Sequence, residues 1–74
     1  MTRLPVCSGA EAIAAFERAG WQVVRRRSSH VTLGKPDWLH ILTVPMHDEL
    51  GPGLLRGLIR KAGLTVEEFT NLLG

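Results

Sequence analysis

Residues 21–44 read WQVVRRRSSHVTLGKPDWLHILTV, and the fold depends on how this stretch divides. From Trp21 to Arg27, Trp21 and Val23 fall on one side and Gln22 on the other, the two-residue period of a strand, although Val24 blurs it. A second strand over Val31 to Lys35 sets Val31 and Leu33 against His30 and Thr32. Only Ser28 and Ser29 link the two runs, and so short a link predicts a hairpin. Gly34-Lys35-Pro36-Asp37 is the next turn. Trp38 to Val44 reads as a third strand, ended by Pro45, which has no N–H to donate.

Helices flank these strands. Ser8 to Gly20 begins with a capping box, Ser8 with Glu11, and carries Ala12, Ile13, Phe16 and Ala19 on one face. Gly20 suits the left-handed position that closes a helix. Met46 to Gly53 is a loop. Leu54 to Ala62 is a second helix, with Leu54, Leu55, Leu58, Ile59 and Ala62 as a broad apolar stripe and Gly63 at its end. Thr65 and Glu68 form another capping box for a short last helix. The order α-β-β-β-α-α predicts an α+β fold: a three-stranded antiparallel sheet with helices on one face and the other face open. If Val31 and Leu33 face the helices, His30 and Thr32 face away, because side chains alternate along a strand.

Size limits function. At 74 residues the chain is expected to be one domain over residues 1–74, and folding at this length buries only about 60% of the extended surface. A large enclosed substrate pocket does not fit, so a substrate has to lie across the surface. Cys7 is the only cysteine; no internal disulfide can form, which fits a reducing cytosol, and Cys7 is read as a small apolar filler. The start, MTRLPVCSGAEAIAAF, has no long apolar run and is not read as a signal peptide. No segment is long and apolar enough to span a bilayer, so the expected location is the cytoplasm. The net charge of +2 is modest, but Arg25-Arg26-Arg27 and Arg60-Lys61, with Arg56 one turn earlier, concentrate it. Such clusters favour a polyanionic partner, or are simply solvated charge.

Several chemistries find no support. Cys7, His30, His40 and His47 have no metal-ligand spacing, so no metal site is expected. Asp48 and Glu49 are adjacent and point apart on any regular element. There is no glycine-rich phosphate loop and no nucleophile elbow. His40 reads as a partly buried histidine inside an apolar strand. Trp21 fits the core, and Trp38 is the more exposed tryptophan, available for stacking.

Five features in order give the chain a family resemblance. They are the leader LPVCSG, a helix ending in AGW, Ser28-Ser29-His30 at the hairpin, Thr43-Val44-Pro45-Met46-His47, and the helix GLLRGLIRKAG from Gly53 to Gly63. Together they resemble the HicA toxins (the YcfA-like family), over nearly the whole chain. The family usually has glycine where Ser28 stands, and often threonine where Leu54 stands. The resemblance implies a fold like the double-stranded RNA-binding domain. It also implies an endoribonuclease, an mRNA interferase that works without a metal or other cofactor and is silenced by a HicB-like antitoxin. By that resemblance His30 is the catalytic candidate.

The local chemistry is compatible. RNA carries its own nucleophile, the 2′-hydroxyl, and an imidazole that titrates near neutrality can serve as base or acid. Arg26 or Arg27 is expected to hold the phosphate, and Ser29 to orient the imidazole or the phosphate. His47, after the third strand, is the second acid–base candidate, or else a loop-capping residue. Arg56, Arg60 and Lys61 are candidate phosphate contacts on a basic helix face, as in readers of double-stranded RNA, or a solvated face. The toxin is expected to be monomeric when free and hetero-oligomeric with its antitoxin. The competing reading is a non-catalytic module of the same fold that binds RNA or protein; an inactive relative kept for its partner is a third.

Overall fold

A computed structural model describes residues 3–74. Met1 and Thr2, the first residues of the start that was read against a targeting segment, lie outside the described residues. The elements are α1 (Gly9–Arg18), β1 (Gln22–Arg27), β2 (His30–Gly34), β3 (Leu42–Pro45), α2 (Pro52–Lys61) and α3 (Val66–Leu72). The order is the expected α-β-β-β-α-α. The strands form one antiparallel sheet in the order β1-β2-β3, so β2 is central.

Local signals start the outer helices. At α1 the Glu11 N–H donates to Ser8 Oγ at 3.0 Å, and the Ser8 N–H donates to Glu11 Oε1 at 2.8 Å. Thr65 and Glu68 repeat the exchange at α3, at 3.1 and 2.8 Å. Two free backbone donors are satisfied at each start. Helix α2 begins two residues before the expected position, because Pro52 occupies its first turn, where a missing N–H costs nothing.

The core lies between the inner sheet face and the helices. Val31, Leu33, Leu42 and Val44 meet Phe16, Leu55, Ile59 and Phe69 there, all buried. Phe16 and Phe69 meet at 5.1 Å between centroids with their ring planes tilted by 45°, and α3 packs on α1 and α2. Arg18 Nη1 donates to the Leu72 carbonyl at 2.6 Å, which ties the two ends together. Trp21 is buried as expected, although its Nε1 has no acceptor. Cys7 is buried as well, and burial, then the Glu11 carboxylate, pushes its thiol pKa up. Among the described residues no helix is long and apolar enough to cross a membrane.

The sheet departs from expectation in two places. The third strand is not Trp38 to Val44 but starts at Leu42. Trp38 turns aside to α2: its Nε1 donates to the Lys61 carbonyl at 2.8 Å, capping the last turn of that helix. Leu39, His40 and Ile41 are consequently exposed, so His40 is not the partly buried histidine of an apolar strand. Trp38 is the more exposed tryptophan, but its ring is engaged rather than free for stacking. The second departure is at Val24. The register of β1 against β2 jumps between Val23 and Arg25, leaving Val24 as the extra residue of a bulge. Val24 breaks the alternation because it has no partner. Leu54, expected in the apolar stripe of α2, is 42% exposed.

Candidate active site on the open sheet face

The hairpin closes through Arg27 paired with His30, and only Ser28 and Ser29 make the turn. Ser28 takes a φ of 46°, the left-handed region in which a Cβ costs about 1–2 kcal/mol. This is the position where the resemblance expects glycine. Ser28→Gly is expected to raise stability by about 0.5–1 kcal/mol, the strain relieved less the backbone entropy that glycine loses. Thermal unfolding reads this as a Tm a few degrees higher; an unchanged or lower Tm contradicts the strain.

Residues directly opposite in a sheet share a face. Two rungs cross the open face. The first is Arg27–His30–Pro45, in which Pro45 is itself buried, and the second is Arg25–Thr32–Thr43. Arg26 pairs with Val31, whose side chain is buried in the core, so Arg26 leaves β1 on the other face. The register thus divides the arginine run: of the two candidates Arg26 and Arg27, only Arg27 shares the face of His30. Arg25, a member of the basic run but not one of those two candidates, shares that face too. Counting back by two from the hairpin would have found it.

His30 is exposed and starts the central strand. Its Nδ1 lies 3.2 Å from Ser29 Oγ, a hydrogen bond whose direction depends on the tautomer. In either sense the bond fixes the ring plane and leaves Nε2 for other work. His47 is held by its backbone. Its carbonyl accepts the Gly9 N–H at 2.9 Å, and the preceding Met46 N–H donates to the Ser29 carbonyl at 2.7 Å. The loop is therefore stitched to the turn that carries His30, one residue from His47. Gly9 is required for this approach, since a Cβ there would overlap the Pro45 carbonyl oxygen.

The basic residues of α2 also divide. Lys61 lines a groove with Ile41 and Thr43 of the β3 side. Arg56 and Arg60 line another with Leu64, Thr65 and Val66, on the α3 side, where no sheet residue contributes. Among the described residues no group of three or more His, Cys, Asp or Glu side chains is placed to hold a metal ion.

The architecture falls in a class defined by comparison with known proteins. A family model described as HicA toxin of bacterial toxin–antitoxin matches residues 9–64 of the 74-residue chain, spanning α1, the whole sheet and α2. The chain is a toxin of that bacterial class. It belongs to the HicA toxin family. No match was found among curated proteins.

Proposed function

We propose that the chain is an endoribonuclease, an mRNA interferase that cleaves RNA with His30 as general acid or base and without a metal. The observation that carries this reading is the exposed His30 imidazole on the open face, with its Nδ1 held by Ser29 and Arg27 directly opposite. Nε2 takes the proton of a 2′-hydroxyl. The 2′-oxygen then bonds to the adjacent phosphorus while the bond from phosphorus to the 5′-oxygen breaks. The products are a 2′,3′-cyclic phosphate and a 5′-hydroxyl. The leaving oxygen takes its proton from an imidazolium, either His30 itself or His47, which the loop stitching brings to the same end of the sheet. Charge building on the phosphoryl oxygens is met by Arg27, with Arg25 one rung away.

An antitoxin, HicB-like by the resemblance, lies over the open face and covers His30. The toxin is a monomer when free, part of a hetero-oligomer when neutralised, and acts in the cytoplasm. Purified protein cuts single-stranded RNA on this account, and His30→Ala does not. Intact RNA with salt-sensitive binding would instead make the chain a binding module.

The rungs sharpen the role of the arginines. Arg27→Ala is expected to lower cleavage about 10- to 100-fold, the range of one charge-assisted hydrogen bond. Arg26→Ala, on the other face, is expected to lower it far less. Initial rates at low substrate check this, and equal losses in the two variants would contradict the assignment by register.

A further inference from the structure

A groove of about 300 Å³ runs between β3 and α2. Ile41 and Thr43 wall one side, and Leu54, Gly57 and Lys61 the other. Thr43 also ends the second rung of the open face, so the groove borders that face along the β3 edge. His30 pairs with Pro45, two residues from Thr43, and such diagonal neighbours lie about 7–8 Å apart. That separation is on the scale of one nucleotide step.

The lining suits a flat heterocycle. Ile41 is 60% exposed and Leu54 42%, apolar surface left uncovered beside a polar face. The helix side is open because Gly53 and Gly57 stand four residues apart on α2, and a Cβ on either would meet nothing within 4 Å. Lys61 is the one charged residue of the lining.

We infer that this groove is a subsite for the base of the nucleotide next to the scissile phosphate, and that the RNA is unpaired there. The inference rests on the ribonuclease reading above. Ile41 and Leu54 cover the apolar faces of the base, while Thr43 Oγ and Lys61 Nζ meet its polar edge or the flanking phosphate. A base inside a duplex is stacked on both faces and does not enter; an unstacked one does. Lys61 thereby acts apart from Arg56 and Arg60, which lie on the α3 side.

Gly57→Leu tests this by filling the slot from the helix. Leucine is the better helix former and its Cβ meets nothing within 4 Å, so the fold is expected to be retained, which an unchanged or higher Tm will show. The probe is a short single-stranded RNA with a 2′-deoxy nucleotide at the mapped cut, which blocks cleavage. Its binding is followed by fluorescence anisotropy, with the nucleotide on each side of the cut either intact or abasic. Wild type is expected to bind one abasic probe about tenfold more weakly than the intact RNA, the loss of burying one base face on aliphatic side chains. Gly57→Leu is expected to bind intact and abasic probes alike, at the weakened level. Equal binding of all probes by wild type, or wild-type discrimination by Gly57→Leu, overturns the subsite. So does a Gly57→Leu protein that cuts RNA normally but escapes its antitoxin, which would assign the groove to the partner protein. His30-dependent cleavage persisting beside any of these results overturns the subsite alone; an RNA that wild type never cuts overturns the ribonuclease reading.

Discussion

His30→Ala is expected to lower RNA cleavage by about 10²- to 10⁴-fold, the range for losing one general acid–base group. The protein itself stays folded, because His30 is exposed and exposed substitutions usually shift stability by no more than about 0.5 kcal/mol. Rate and Tm measured on the same preparation separate the two effects. Ser29→Ala is expected to give a smaller loss: it removes the hydroxyl at 3.2 Å from Nδ1 but leaves the imidazole proposed to move the proton. A His30→Ala protein that cleaves at the wild-type rate removes His30 from the mechanism. One that fails only because it is unfolded is recognised by its lost thermal transition.

Gly63→Ala is expected to destabilise the fold by about 1.5–3.5 kcal/mol. Two costs combine. Gly63 has a φ of 75°, where an alanine pays about 1–2 kcal/mol. A Cβ there would also stand 2.7 and 2.8 Å from two ring carbons of Trp38, so the ring must move. Moving it breaks the bond from Nε1 to the Lys61 carbonyl, worth about 0.5–1.5 kcal/mol net. A domain of this size is stabilised by roughly 4–11 kcal/mol in all, so the loss is a large share of the total. Denaturant titration measures it. In a Trp38→Ala background the same glycine substitution is expected to cost only the backbone share, since no ring remains to collide. Equal costs in the two backgrounds would mean that the ring does not limit the site.

The Trp38 clamp also explains why part of the fold was hidden from sequence reading. Both capping boxes were legible because each is closed by residues three apart, Ser8 with Glu11 and Thr65 with Glu68. The hairpin was legible because two residues between alternating runs leave few other solutions. The start of β3 was not. Trp38-Leu39-His40-Ile41 continues the alternation in sequence, and what withdraws it from the sheet is a carbonyl 23 residues away. Exposure of His40 follows from the same contact. The bulge at Val24 left a visible mark, a break in the period, but its consequence needed the register: Arg25 and Arg27 on one face, Arg26 on the other. The placement of His47 depends on backbone bonds to Gly9 and, through Met46, to Ser29, which no spacing rule reveals.

The most direct test of the central claim is cleavage of one single-stranded RNA in EDTA, beside a copy with a 2′-deoxy nucleotide at the cut. If the 2′-hydroxyl is the nucleophile and His30 moves its proton, the RNA is cut in EDTA and the 5′ fragment ends in a 2′,3′-cyclic phosphate. The deoxy copy then stays whole at that position. Cleavage of the deoxy copy at the same rate, or loss of all cleavage in EDTA, would contradict the account.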